Sequence, residues 1–145
     1  MENLYLGVDI GSVSINIVAV DEDNELIFKL YTRNSGSPID LVKDGLAQFK
    51  EEIDLDKYIV NGVGVTGSGR QLIAYVLGAD TVKNEITAHA RASTYYHPEA
   101  GTIFEIGGQD SKLIIVEDGI AVDFAMNTVC AAGTGSFLDH QAERL

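Results

Sequence analysis

Hydrophobic and polar residues alternate along much of the chain, which is the pattern of half-buried β-strands. The first such run, Leu4 to Ile10, is followed by two more runs that the polar loop Asp21-Glu22-Asp23-Asn24 separates. Later runs repeat the pattern between short polar or glycine-containing turns. The strands predicted after the first are Ser14–Asp21, Glu25–Arg33, Tyr58–Val65, Thr81–Val82, Thr102–Ile106, Ser111–Glu117 and Ile120–Phe124.

A different spacing predicts the helices. Ser37 and Pro38 open the first helix as its N-cap and its first helical residue, and apolar residues then recur every three or four positions. That spacing forms one apolar stripe for packing on a sheet. The stripe consists of Ile39, Val42, Leu46, Phe49 and Ile53, and further helices are predicted at Arg70–Leu77, Glu85–Tyr96 and from Ser136 onward.

The predicted elements follow one another as β-β-β-α-β-α-β-α and then β-β-β-α, which is the order of an α/β protein. The segment His97-Pro98-Glu99-Ala100-Gly101 ends the last helix of the first series and is the predicted boundary. We therefore predict a first domain at 1–98 and the start of a second, similar domain at 102–145. The second would lack the elements that complete the first, which leaves apolar surface and a sheet edge needing cover.

An acid-Ile-Gly turn ends the first strand of each series. A shift of 96 positions (105 − 9) aligns Asp9-Ile10-Gly11 with Glu105-Ile106-Gly107. Glycine lets the backbone approach a ligand closely, and successive amides near a turn form a concavity that binds anions. Two such hairpins facing each other would clamp the phosphates and the metal ion of a nucleotide from both sides.

The first turn has the groups that such a site needs. Gly11 and Ser12 supply backbone amides, Ser12 and Ser14 supply hydroxyl donors, and Asp9 can hold Mg²⁺, usually through water. Considered alone, the turn is explained equally well as an ordinary Gly-Ser hairpin with an exposed aspartate.

The second turn carries more polar chemistry. Its paired glycines Gly107 and Gly108, its carboxamide Gln109 and its carboxylates are the groups with which a γ-phosphate site holds Mg²⁺ and orients an attacking water. The candidate catalytic residues of the two turns are Asp9, Glu105 and Asp110.

Composition narrows the class of ligand. The net charge is −12, from 10 basic and 22 acidic residues, which disfavours nucleic acid because its phosphates need a basic surface. No apolar run approaches the ~20 residues of a membrane span, and the acidic N-terminus is not a signal peptide. One cysteine, Cys130, excludes an intrachain disulfide and fits a reducing cytoplasm.

Paired Asp-Ile-Gly hairpins on such duplicated units resemble the actin, sugar-kinase and heat-shock-chaperone ATPases, with their ribonuclease-H-like domains. A longer series of motifs closely resembles the BadF/BadG/BcrA/BcrD family, the ATP-dependent activators of 2-hydroxyacyl-CoA dehydratases and benzoyl-CoA reductases. The resemblance covers nearly the whole chain. Its motifs are Gly7-Val-Asp-Ile-Gly-Ser12, Val65-Thr-Gly-Ser-Gly-Arg70, Asn84-Glu-Ile-Thr-Ala-His-Ala-Arg91, Ile106-Gly-Gly-Gln-Asp-Ser-Lys112 and Asn127-Thr-Val-Cys-Ala-Ala-Gly-Thr-Gly-Ser-Phe137.

The resemblance implies ATP or ADP, Mg²⁺ and a [4Fe–4S] cluster that two subunits of a homodimer share. Cys130 would be one cluster ligand, and the thiolate would benefit from a helix N-terminus that follows it. The stretch Gly133-Thr134-Gly135 would line the nucleotide pocket. Ferredoxin or flavodoxin would supply the electron, and a dehydratase or reductase would accept it. The alternative for Cys130 alone is a small buried cysteine.

The resemblance also implies that the chain is the N-terminal part of a longer activator, and that alone it hydrolyses ATP poorly. Two departures from the family pattern bear on hydrolysis: Glu105 stands where aspartate is usual, and Asn16 stands where many relatives have lysine. Lys112 occupies the place equivalent to Asn16 in the second repeat.

Two other functions fit the same fold. One is a small-molecule kinase acting on a sugar or amino sugar, and the other is a non-catalytic interaction module.

A weaker signal is the pair Glu85 and His89, four residues apart on one predicted helix face. This pair is typical of a surface ion pair and would also suit an interdomain hinge.

Overall fold

The structure is a computed structural model that describes residues 1–127 and 134–144. The chain divides into two compact units, Met1–Asn84 and Glu85–Leu145, and each unit is described by itself. The first unit contains β1 (Glu2–Ile10), β2 (Ser14–Val20), β3 (Leu26–Arg33), α1 (Pro38–Glu52), β4 (Tyr58–Thr66), α2 (Arg70–Leu77) and β5 (Thr81–Val82). The second contains α3 (Glu85–Tyr96), β6 (Thr102–Ile106), β7 (Ser111–Glu117), β8 (Ile120–Met126) and α4 (Gly135–Ala142).

The first unit is built on a five-stranded sheet with the order β3-β2-β1-β4-β5. Strands β1, β2 and β3 are antiparallel neighbours, whereas β4 pairs parallel to β1 and β5 parallel to β4. A helix connects each parallel pair, as a crossover requires. The order and direction of the strands confirm the predicted ribonuclease-H-like β-β-β-α-β-α-β arrangement of this unit.

The core of the first unit forms because alternate residues of β1 point to one face of the sheet. Leu4, Leu6, Val8 and Ile10 are all buried there, together with the matching residues of β2. Helix α1 packs on this sheet so closely that a Cβ on Gly45 would lie 2.6 Å from Cδ1 of Ile17. The predicted apolar stripe of α1 therefore does face the sheet.

The second unit has a three-stranded antiparallel sheet with the order β6-β7-β8. Helix α3 covers one face through Ala90, which belongs to a small core with Ile114 and Val116. Other apolar side chains of the unit are exposed. They include Phe104, Ile106, Phe124, Met126, Phe137 and Leu138.

The position of α3 adds a detail that the sequence pattern did not contain. The prediction placed this helix at the end of the first domain, whereas its buried residues pack against the sheet of the second unit. The predicted domain limits, 1–98 and 102–145, stay a prediction, because a fold repeat and a packing unit need not have the same ends.

Among the described helices, none is long and apolar enough to span a membrane.

Candidate phosphate-binding hairpins

The turn between β1 and β2 is closed by its own backbone. The Gly11 N–H donates to the Ser14 carbonyl at 2.9 Å, and Nδ2 of Asn34 donates to the Gly11 carbonyl at 2.9 Å. A Cβ on Gly11 would lie 2.9 Å from the Ser14 oxygen, which is too close for a side chain. Only glycine therefore fits this turn without distortion.

The predicted polar residues of the first turn lie together at one end of the sheet. Asp9 pairs with Asn16 on β2 and with Thr66 on β4, and Nδ2 of Asn16 donates to Oδ2 of Asp9 at 3.3 Å. Ser12 is exposed at the tip of the turn, and Ser14 is half-buried. The structure thus brings the carboxylate and both hydroxyls to the same turn.

The loop between β4 and α2 also contacts this turn. The Gly69 N–H donates to the Ile10 carbonyl at 3.0 Å, and Gly67 has a φ of +90°. A Cβ on Gly67 would lie 2.5 Å from Oδ1 of Asp9. Beside it, the Thr66 hydroxyl is buried and has no hydrogen-bond partner. The sequence indicated a tight Gly-Ser-Gly loop here, but its contact with Asp9 depends on the parallel pairing of β1 and β4.

The second hairpin repeats the first. The Gly107 N–H donates to the Asp110 carbonyl at 2.9 Å, which is the equivalent of the Gly11 bond after the shift of 96 positions. A Cβ on Gly107 would lie 3.1 Å from the Asp110 carbonyl oxygen and 3.2 Å from Oε1 of Glu105. Gln109 is exposed at the tip. The two predicted turns therefore have the same hydrogen bond, and both leave little room for a side chain at the glycine, with the closer contact at Gly11.

Lys112 lies at the base of the second hairpin, opposite Glu105 in the strand register. Its Nζ is 2.8 Å from Oδ1 of Asp110, 3.0 Å from Oε2 of Glu105 and 3.2 Å from Oε1 of Glu85. The side chain is only 4% exposed. Burial alone lowers the pKa of Lys112, but the hydrogen bonds to Asp110, Glu105 and Glu85 outweigh burial and raise the pKa above its ordinary value.

Glu85 is the residue of this cluster that the sequence pattern did not identify. Spacing along α3 paired it with His89, whereas its carboxylate contacts Lys112. The contact joins residues 27 positions apart (112 − 85), so no helical periodicity could reveal it. The only signal in the sequence was the presence of Glu85 in one of the family motifs.

The start of α4 rests on the second turn. The Gly135 N–H donates to the Gly107 carbonyl at 2.8 Å, and the Ser136 N–H and hydroxyl donate to the Gly108 carbonyl. Thr134 is fully buried just before the helix. Two other predicted site residues, Cys130 and Gly133, lie outside the described residues.

Metal binding at these turns would need few protein ligands. Within residues 1–127 and 134–144, no three side chains of His, Cys, Asp or Glu are grouped as ligands of one metal ion. Magnesium in nucleotide sites typically takes one or two carboxylates, with water and phosphate oxygens completing its six ligands. The single carboxylate of Asp9, or that of Asp110, fits this requirement.

Comparison with known proteins identifies the family. Residues 6–145 match the sequence profile of the BadF/BadG/BcrA/BcrD ATPase family. The chain belongs to this family. The resemblance inferred from the motifs is thereby confirmed.

Two similar proteins illustrate the relatives of this chain. The (R)-2-hydroxyglutaryl-CoA dehydratase activating ATPase of Acidaminococcus fermentans is 33% identical over 97% of this chain and 53% of its own length. The activator of lactoyl-CoA dehydratase of Anaerotignum propionicum is 34% identical over 97% of this chain and 53% of its own length. The chain thus spans about half the length of these relatives.

Two solved structures have the same fold. Component A of the (R)-2-hydroxyglutaryl-CoA dehydratase from Acidaminococcus fermentans superposes with a TM-score of 0.80 at 30% identity, over 97% of this chain and 53% of that one. The activator of the 2-hydroxyisocaproyl-CoA dehydratase from Clostridium difficile, with bound ADPNP, gives 0.78 at 32% identity, over 99% and 52%. The actin-like ATPase fold of this family member is therefore established.

Proposed function

We propose that this chain is the phosphate-binding part of an ATP-dependent activator. In the whole protein, ATP hydrolysis would drive low-potential electron transfer to a 2-hydroxyacyl-CoA dehydratase or a benzoyl-CoA reductase. Support comes from the family, from relatives that activate such dehydratases, and from a relative that binds ADPNP. The structural observation that carries the proposal is the pair of hairpins closed by equivalent glycine bonds of 2.9 Å.

The backbone of each turn suits phosphate oxygens. Glycine at 11 and at 107 keeps side chains away from the turn, and the exposed tip residues Ser12 and Gln109 lie where a ligand can approach. Gly108, Thr134 and Gly135 would line the site beside the second turn. Because the chain carries a charge of −12, a divalent cation would offset the repulsion between the chain and a nucleotide anion.

The carboxylates divide into two roles. Asp9 would hold Mg²⁺, with Ser14 and water nearby, and the ion would neutralise charge on the phosphates. Asp110 and Glu105 would position or deprotonate the attacking water, while Gln109 would orient it. Their contacts with Lys112 support the positioning role, because Lys112 holds both carboxylates in place.

The electron-transfer role depends on Cys130. We propose that the Cys130 thiolate ligates a [4Fe–4S] cluster that is shared with a second copy of the protein. We further propose that this occurs in the cytoplasm, where ferredoxin or flavodoxin would reduce the cluster. Such a cluster takes four thiolates, so two subunits must each supply another cysteine from outside this chain. When bound, the cluster carries one electron at a time, and the protein supplies only its ligands and their surroundings.

Nucleotide binding is tested by calorimetric titration of the chain with Mg²⁺ and ADPNP. The double variant Asp9→Ala with Gly107→Val should abolish binding, since it removes a metal ligand and blocks the second turn. Gly101→Val is a matched control, because a Cβ at Gly101 meets only the Val116 oxygen, at 3.9 Å. Binding that survives the double variant would contradict the assigned turns, and no nucleotide binding by a protein of the relatives' length would favour an interaction module.

Activator and kinase are distinguished in the longer protein. Purified without oxygen, an activator should be brown, contain iron and lose its colour in air. A kinase should contain no iron and should release ADP faster when its sugar substrate is added. A colourless, iron-free protein of the relatives' length would sink the activator proposal.

A further inference from the structure

The start of α3 and two positions of the second hairpin meet at the ammonium of Lys112. Glu85 begins α3, Glu105 lies near the end of β6, and Asp110 lies in the turn. Their carboxylate oxygens lie between 2.8 and 3.2 Å from Nζ, which is itself shielded from solvent. One ammonium against three carboxylates leaves two negative charges when all four groups are ionised.

The first hairpin shows that a lysine ammonium is not needed to form the turn. Asn16 stands at the position of Lys112 and gives Asp9 a neutral amide donor at 3.3 Å. The backbone bond of both turns is nevertheless 2.9 Å long. The ammonium of the second hairpin must therefore serve the carboxylates around it, not the turn.

We propose that Lys112 is a positioning residue that acts as an internal counter-ion: its ammonium occupies the point where Glu85, Glu105 and Asp110 converge, and it holds them as a bound divalent cation would. The hairpin carboxylates are then set before any ligand arrives. The catalytic consequence of this arrangement rests on the proposed nucleotide site, whereas the counter-ion role itself does not.

Electrostatics gives this proposal a sharp consequence. Without the ammonium, three partly buried carboxylates converge on one point and repel one another. Carboxylate oxygens are the ligands that Ca²⁺ prefers, at 2.3–2.6 Å, so they need move inward by only about half an ångström. Removing the ammonium should therefore create a site for a divalent cation at the point that the ammonium fills in the unchanged chain.

The test measures thermal unfolding of the full chain as Ca²⁺ is added at constant ionic strength. Lys112→Met should unfold at a lower temperature than the unchanged chain, and Ca²⁺ should raise its Tm by about 5 °C or more. The unchanged chain and Lys112→Arg, which keeps the charge, should respond much less. Lys57→Met is a matched control for the loss of one positive charge, because Lys57 is exposed and its ion pair with Glu2 lies at the surface.

A second variant covers the case in which Lys112→Met does not fold. Lys112→Gln retains a hydrogen-bond donor without the charge, so it should also require Ca²⁺ to approach the stability of the unchanged chain. Adding Glu85→Gln to either variant should weaken the Ca²⁺ response, because one ligand is lost.

Three results would overturn the proposal. One is a Ca²⁺ response in the folded variants no larger than that of Lys57→Met. Another is full stability of Lys112→Gln without Ca²⁺, which would reduce Lys112 to a hydrogen-bond donor. The third is failure of both neutral variants to fold at any Ca²⁺ concentration. No nucleotide is used, so a failure of ATP binding would leave this test unaffected.

Discussion

At Gly67 the backbone passes beside the carboxylate of Asp9 with a φ of +90°. An added Cβ would overlap the Ile10 carbonyl and lie 2.5 Å from Oδ1 of Asp9. Strain and overlap act together here, so we predict that Gly67→Ala lowers the free energy of unfolding by about 2–5 kcal/mol. Urea unfolding followed by circular dichroism would measure the loss.

Gly78 provides the matched control for this substitution. It also has a positive φ, +63°, but nothing lies within 4 Å of a Cβ built there. Gly78→Ala should therefore cost only the backbone strain, about 1–2 kcal/mol. Equal losses of unfolding free energy for Gly67→Ala and Gly78→Ala would show that the overlap with Asp9 does not contribute to the destabilisation.

We also predict that the ammonium of Lys112 stabilises the folded chain. Removing the buried ammonium leaves three partly exposed carboxylates without their counter-charge, so Lys112→Met should lower the free energy of unfolding by about 1–3 kcal/mol in the absence of divalent cations. Lys57→Met should change it little, because that ammonium is exposed and its ion pair with Glu2 is screened by solvent. Comparable losses for the two lysines would contradict the account of the cluster.

The pH dependence of this stabilisation follows from the raised pKa of Lys112. A group whose folded pKa exceeds its unfolded value stabilises fully below the unfolded value, about 10.4 for lysine, and loses that effect as the pH rises through the folded value. The difference in unfolding free energy between the unchanged chain and Lys112→Met should thus be constant from about pH 8 to pH 9.5. It should fall at higher pH.

At the scale of elements, α4 is attached to the second hairpin by its first residues. Ser136 donates to the Gly108 carbonyl through both its amide and its hydroxyl. Removing the hydroxyl should cost about 0.5–1.5 kcal/mol of local stability. We predict that Ser136→Ala speeds amide hydrogen exchange in α4, while exchange in α1 stays unchanged. Unchanged exchange in α4 would mean that the amide bonds alone hold the helix.

The order of strands and helices could be predicted from the sequence because hydrophobic patterns between neighbouring residues determine it. Alternation in β1 and the apolar stripe of α1 each depend on neighbouring residues, and the structure places both as predicted. The 96-residue repeat located both turns because the backbone leaves little room for a side chain at 11 and at 107. The Lys112 cluster was not predictable, since Glu85 reaches it only through the packing of α3 on β7.

Two opposing forces act on the whole molecule. A charge of −12 keeps copies of the chain apart, whereas the apolar side chains of the second unit favour contact. Strand β6 adds a third factor: in the described part of the chain it pairs only with β7, although its counterpart β1 pairs on both sides. An open strand with apolar side chains is a template for pairing with another copy.

Salt decides which force dominates, because it screens charge and leaves hydrophobic contact intact. We predict that the chain is mainly monomeric at low salt and self-associates as NaCl rises, measured by sedimentation velocity. Phe104→Lys, which replaces a side chain 77% exposed on β6, should prevent this association. Tyr75→Lys is the matched control, since Tyr75 is 88% exposed and lies on helix α2 instead of on a strand. If both variants suppress association equally, the loss of an exposed aromatic side chain at either place, and not the β6 edge, controls it.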